Sequence, residues 1–230
     1  MDRSGLALTD EYMQRVQKII KKSQGNQPPE EKLEAAAKSA QHCLSDLGVS
    51  LRDQEILGSE YFKESPAILA ARDFFKQPKE CWCLVLAGPA GRGKSVAAAY
   101  WLKRLAYHHF IGTRSNHGEG RSFDGYKQHW WSAQAVSRIS SRDDSLRVLM
   151  QRDGIVIDDL GTEYMDTKGH TLHRFDEMIA YRYANFKRTL MTTNLNAEAF
   201  KERYGNRIVS RIDDGGMFFG LTGESLRGKQ

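Results

Sequence analysis

Eight consecutive residues, Gly88-Pro-Ala-Gly-Arg-Gly-Lys-Ser95, carry the clearest chemistry in the chain. They match G-x-x-x-x-G-K-[ST], a loop whose glycines let backbone N–H groups close around an anion while the following helix N-terminus adds partial positive charge. Lys94 would reach the β and γ phosphates of a nucleoside triphosphate, and the Ser95 hydroxyl would ligate Mg²⁺. The candidate nucleotide-binding residues are therefore Gly88, Pro89, Ala90, Gly91, Arg92, Gly93, Lys94, Ser95 and Val96. The flanks agree: Cys81 to Ala87 is an unbroken apolar run of buried-strand character, and Val96 to Ala106 is apolar at helical spacing. A chance glycine-rich turn is the alternative, and it would not need both flanks.

Two further stretches fit the same chemistry. Gly154-Ile-Val-Ile-Asp158-Asp159-Leu-Gly161 is a short β-rich run ending in paired carboxylates, and open α/β sheets bind ligands at the carboxyl ends of their strands. Asp158 would hold Mg²⁺ through its coordinated waters, and Asp159 would orient or deprotonate an attacking water. Many strands end in Asp, so the pair gains its weight from following a phosphate loop. Arg188-Thr-Leu-Met-Thr-Thr-Asn194 ends another strand in an amide that could lie between the γ-phosphate and the lytic water, although Asn is also a favoured turn residue. Arg207 and Arg211, four apart on one helix face, could serve a neighbouring subunit's γ-phosphate, a role worth 10³ to 10⁵ in rate in other phosphoryl-transfer systems. A surface ion pair is the alternative for either.

The elements that must position these residues read as alternating helices and strands. Residues 9–22 form an amphipathic helix with Met13, Val16, Ile19 and Ile20 as its stripe, and residues 23–29 a polar linker. A second helix starts at Pro29 and runs to about Leu47, stopped at Gly48. Residues 49–65 show no clear period, with Gly58 as the domain boundary, and Pro66 to about Phe75 is a helix feeding the first strand. Residues 112–125 are a surface loop, and residues 126–131 a second strand. Ser132 caps a helix bearing Ala133, Val136 and Ile139, and Arg142 to Arg152 is a charged helix. Trp130 and Trp131 point to opposite faces of their strand, so at most one could stack on a base. His170 to about Phe186 is a helix, and Met217 to Leu221 a last strand. Two units result: residues 1–58, helical, either a partner-docking region or a brace on the core, and residues 59–230, the nucleotide-binding domain.

The totals bound the rest. At 230 residues, 40% hydrophobic and 27% charged, the composition is that of a globular chain with one sizeable core and an appendage. No apolar stretch approaches the ~20 residues of a membrane span and the N-terminus lacks a signal-peptide core, so a cytoplasmic protein without membrane contact is expected. Cys43, Cys81 and Cys83 suit neither a disulfide framework nor a zinc site. Residues 1–58 hold 8 basic and 9 acidic side chains, so of the chain's 34 basic and 29 acidic groups the remainder carries 26 and 20. That surplus suits nucleic-acid contact, and is also common in proteins that bind only ATP.

In order, GPAGRGKS, IVIDDLG, TLMTTN and YGNRIVSRI resemble the AAA+ ATPases of the DnaC-type helicase loaders and the similar IstB-type transposition ATPases. The resemblance covers roughly Glu60 to Lys229. It implies an α/β P-loop fold with an open parallel five-stranded sheet ordered 5-1-4-3-2, Asn194 as sensor I and Arg211 as the arginine finger, with Arg207 a second candidate. It also implies ATP and Mg²⁺ as cofactors, a homo-oligomer, and a helicase loader that contacts single-stranded DNA and a replicative helicase. Two features depart from the pattern. Arg92 stands where a small residue or threonine is commoner, and little or no room follows the last strand for the helical lid that carries sensor II, for which Arg227 is the substitute candidate. The rival functions are a transposition ATPase acting on duplex DNA with a transposase, a small-molecule P-loop kinase, and a non-hydrolysing adaptor.

Overall fold

A computed structural model describes residues 30–59, 62, 64–113, 129–139, 144–223, 225 and 226. The expected helix over 9–22, the linker before Glu30, most of the 112–125 loop, residues 126–128, the start of the 142–152 helix and Arg227 lie outside the described residues.

Strand β1 (Cys83–Ala87) is buried along its whole length, as an apolar run without alternation requires. It lies between β4 (Arg188–Thr193) and β5 (Gly216–Gly220), parallel to both, with Cys83 opposite Thr189 and Gly216. Beyond β4 come β3 (Gly154–Leu160) and then the short edge strand β2 (Trp130–Ser132), also parallel. The order β2-β3-β4-β1-β5, read from the other edge, is the expected 5-1-4-3-2. Parallel strands need crossovers, and the helices that supply them cover both faces.

Side chains of β1 alternate between two cores. Leu84 and Leu86 face helices α1 (Glu30–His42), α3 (Pro66–Lys76) and α4 (Lys94–Thr113). Cys83 and Val85 face α5 (Ala133–Arg138), α6 (Asp144–Gln151), α7 (His170–Ala184) and α8 (Ala197–Gly215). Ser65 caps α3 ahead of Pro66, and Ser132 caps α5, each side chain accepting from a first-turn amide.

The structure refines several boundaries. The helix expected to reach Leu47 ends at His42 and continues as turns to Gly48, yet Cys43, Leu44, Leu47 and Val49 still enter the first core. A helix absent from the sequence reading, α2 (Leu51–Gly58), follows, capped by Ser50, whose hydroxyl accepts from the Asp53 amide at 3.1 Å. None of its residues is buried and Leu51 is 73% exposed, so it has no apolar stripe to betray it. Cys81 precedes β1 rather than sharing it. Trp131 is buried in the second core and Trp130 packs against the first, so the structure offers neither as an open base-stacking platform.

At the amino end of the sheet Arg182 is fully buried and donates five hydrogen bonds. They run to the carbonyls of Leu149, Met150, Arg152 and Arg188 and to the Thr189 hydroxyl, at 2.7–3.1 Å. It thereby closes the carbonyl end of α6 and ties it to β4. Burial pulls its guanidinium down to about 9. No helix among the described residues is long and apolar enough to cross a membrane.

A candidate nucleotide site at the carboxyl edge of the sheet

The carboxyl ends of β1, β3 and β4 adjoin in the sheet, and each delivers a candidate residue. Gly88 leaves β1 with φ +144°, and a Cβ there would lie 2.4 Å from the Leu221 carbonyl oxygen, so only glycine fits where this chain crosses the end of β5. The loop then turns into α4, whose first residue is Lys94.

Lys94 is 6% exposed. Its Nζ donates to the carbonyls of Gly88 at 2.6 Å and Pro89 at 2.9 Å, and to Asn194 Oδ1 at 2.8 Å. The ends of β1 and β4 thus meet through one ammonium. Ser95 Oγ donates to Asp158 Oδ1 at 3.3 Å, which joins α4 to β3. Thr192 on β4, a residue the sequence reading did not single out, donates to the same oxygen at 2.5 Å and accepts from the Asp159 amide at 2.9 Å. A hydroxyl two residues before Asn194, facing the end of β3, was the available signal.

The two adjacent carboxylates differ sharply. Asp158 is half-buried, and desolvation lifts its carboxyl to about 6, opposed by the Thr192 hydroxyl bond and assisted by the Asp159 charge. Asp159 is exposed with φ +58°, where β3 loses register with β4 between Ile157 and Leu160. A break in the strand at that point turns successive side chains out of the alternating pattern.

The donor set suits the expected groups. A hydroxyl and a carboxylate oxygen already in contact are hard oxygen ligands of the kind Mg²⁺ takes. Main-chain carbonyls and an amide hold the lysine beside the glycine loop, where a phosphate could exchange with them. Arg92 turns toward Gly223, its Nη1 lying 3.4 Å from where a Cβ would stand there. The Leu226 amide donates to the Gly91 carbonyl at 2.8 Å, so the segment after β5 rests on the loop.

Arg207 and Arg211 are not brought to this cluster. Both lie on α8 and pair with Asp176 of α7, Arg211 at 2.6 Å and Arg207 at 3.3 Å. The Arg207 side chain is 78% exposed and that of Arg211 19%. Alongside, a cavity of about 490 Å³ opens between α5, the loop after β3 and the start of α7, lined among others by Arg138, Thr162, Tyr164, Asp166, His170 and Arg174. Tyr164 is 76% exposed. Asp166 caps α7 through the His170 and Thr171 amides, and those bonds hold its carboxyl down at about 2.

No family model and no curated protein matches the chain. Among solved structures it is similar to the DnaC helicase loader, at 20% identity over 67% of this chain and 87% of that one, with a TM-score of 0.49. It is similar also to DnaI, at 17% over 75% and 89% with a TM-score of 0.48. A third match is the replication initiator DnaA bound to AMPPCP and single-stranded DNA, at 14% over 69% and 46% with a TM-score of 0.46. The strand order and the glycine loop, rather than these low-scoring likenesses, assign the chain to the parallel P-loop α/β architecture.

Proposed function

We propose that the chain is a Mg²⁺-dependent ATPase that works as an oligomer and loads a replicative helicase onto single-stranded DNA. The observation that supports the ATPase half is the meeting of Lys94 with Asn194 and of Ser95 with Asp158 at one sheet edge. In this reading Lys94 leaves its carbonyl partners to neutralise phosphate charge, and Asp159, exposed beside Asp158, orients or accepts a proton from water. Asn194 holds the polar contact between them. Mg²⁺, when bound at Ser95 and Asp158, supplies further charge neutralisation. In this reading the arginine presented to a neighbour is Arg207, a choice its exposure supports, while Arg211, the residue the resemblance implies, steadies it through their shared carboxylate Asp176.

The test is steady-state ATP hydrolysis by Lys94→Ala and Arg207→Ala proteins, alone and mixed. Each alone is inactive, and the mixture recovers part of the activity because one subunit supplies the arginine and the other the loop. Failure to recover at any ratio, with Arg207→Ala or Arg211→Ala, removes the trans-arginine part of the proposal.

The loader half rests on the motif resemblance and on the cavity beside the site. Its arginines suit a phosphodiester backbone and Tyr164 a base, so Arg174→Ala and Tyr164→Ala should each weaken single-stranded DNA binding, measured by anisotropy at two salt concentrations. A preference for duplex DNA would favour the transposition reading instead. Residues 30–58 serve as a brace in this proposal, since Ala40, Leu44 and Leu47 pack in the first core; a helicase pull-down should therefore compare the full chain with one lacking only residues 1–29.

A further inference from the structure

We propose that Glu163 is a positioning residue that fastens the Asp159 loop to the arginine-bearing helix, so that a subunit's own hydrolytic site and the arginine it offers its neighbour are set by one carboxylate. The proposal rests on the nucleotide-site reading above.

Glu163 is 2% exposed, two residues beyond the Asp-Asp-Leu-Gly run that ends β3. One carboxylate oxygen, Oε2, accepts the Gly161 amide at 2.9 Å. The other, Oε1, accepts Arg203 Nε at 3.0 Å and the Tyr204 hydroxyl at 2.7 Å. The Arg203 guanidinium also donates to the Glu163 carbonyl. On the loop side the connection to Asp159 is short, because Thr162 donates from both its amide and its hydroxyl to the Asp159 carbonyl, at 3.2 and 2.8 Å. On the helix side Arg203 and Tyr204 are the last residues before α8 kinks at Gly205, where φ +81° and ψ 167° interrupt the helix. Arg207 and Arg211 lie just past that kink, and their direction depends on what holds the turn before it.

A buried carboxylate that loses one of its donors is left with an uncompensated charge, which is far costlier than an exposed pair coming apart. The loop and the helix therefore move together or not at all. Thr162 and Tyr164, which flank Glu163 in sequence, line the neighbouring cavity, whose wall is therefore one residue away from the buried carboxylate on either side. A surface ion pair such as Arg147 with Asp144, at 4.0 Å and open to water, has no such grip.

The experiment compares Glu163→Ala and Glu163→Gln in the full chain. For Glu163→Ala, hydrolysis should fall about 10- to 100-fold in kcat, as misplacement of a catalytic group does, with KM for ATP within about 2-fold. Mixed with Lys94→Ala or with the Arg207→Ala/Arg211→Ala double variant, it should recover with neither. Glu163→Gln keeps a carbonyl oxygen for Arg203 and Tyr204 but loses the acceptor for Gly161, so it should recover with the arginine-deficient partner and not with Lys94→Ala. Recovery of Glu163→Ala with either partner, or a KM that rises in step with the loss of kcat, would overturn the proposal. Amide hydrogen exchange without nucleotide tests the coupling even if the chain hydrolyses no ATP. Residues 161–162 and 206–212 should lose protection together in Glu163→Ala while β1 and β4 keep theirs, and unchanged protection over 206–212 would overturn it.

Discussion

Lys94 and Arg182 are both buried cations, set at opposite ends of the same parallel sheet, and both are held by neutral oxygens. Arg182 gives its five bonds inside a shell of carbonyls and one hydroxyl, spread over α6, the turn that follows it and β4. Among the described residues Lys94 donates to the Gly88 and Pro89 carbonyls and to Asn194 Oδ1, at the rim of the sheet where the glycine loop opens. Desolvating a charge is costly wherever it happens. The arginine's shell has no room for a change of partner, so that cost is met permanently by the fold. The lysine's partners named above are groups that a phosphate could replace, as the proposed function requires. Burial alone does not separate a brace from a binding group; what the partners can be exchanged for does.

The comparison breaks if the two side chains can be deleted with similar consequences. Lys94→Ala should lower ATP hydrolysis by at least about 10³-fold while moving stability by about 1 kcal/mol or less, since the carbonyls it releases lie near water. Chemical denaturation alongside a phosphate-release assay checks both halves. Arg182→Met should do the opposite, costing about 3–5 kcal/mol in the urea unfolding free energy with little change in kcat per folded molecule. Four of its five acceptors are backbone carbonyls, which no repacking of side chains can remove.

Asp158 sharpens the contrast from the acidic side. Its folded carboxyl is raised to about 6 from an ordinary 3.8, so protonation favours the folded state. That stabilisation is complete below about pH 3.8 and is lost as pH rises through about 6. In nucleotide-free, metal-free protein, Asp158→Asn should therefore gain on the order of 1–3 kcal/mol at pH 7.5 and nothing at pH 3.5, while hydrolysis is lost. Thermal melts at the two pH values measure it. The smallest effect belongs to Ser50→Ala, which removes the cap of α2 and should cost about 1 kcal/mol without altering hydrolysis, as urea unfolding and the phosphate-release assay would show.

Much of this arrangement is written locally. The glycine loop, the apolar β1 and the paired carboxylates of β3 each sit in a few consecutive residues, and the strand order followed from their resemblance to a known architecture. What escaped was whatever depends on partners distant in sequence. Thr192 reads as an ordinary strand threonine until β4 lies beside β3 and its hydroxyl meets Asp158. Glu163 reads as a polar loop residue until α8, some forty positions on, brings Arg203 and Tyr204 to it. Arg182 reads as one cation on an amphipathic helix, because nothing near it announces the carbonyls of Leu149 and Arg152. The helix α2 was missed for the opposite reason: none of its residues is fully buried, only Leu57 leans on the first core, and periodicity is a record of burial.

The position of β1 also governs the order in which the molecule can assemble. Both of its neighbours, β4 and β5, come from beyond residue 187, so a strand that is apolar on both faces has no partner until most of the chain has been made. Pairings across such long separations close slowly and leave hydrophobic surface open meanwhile. During synthesis the segment from Cys81 to Ala87 therefore waits, apolar on both faces, for strands made much later, and the glycine loop that springs from it gains its flanking strands only when they arrive.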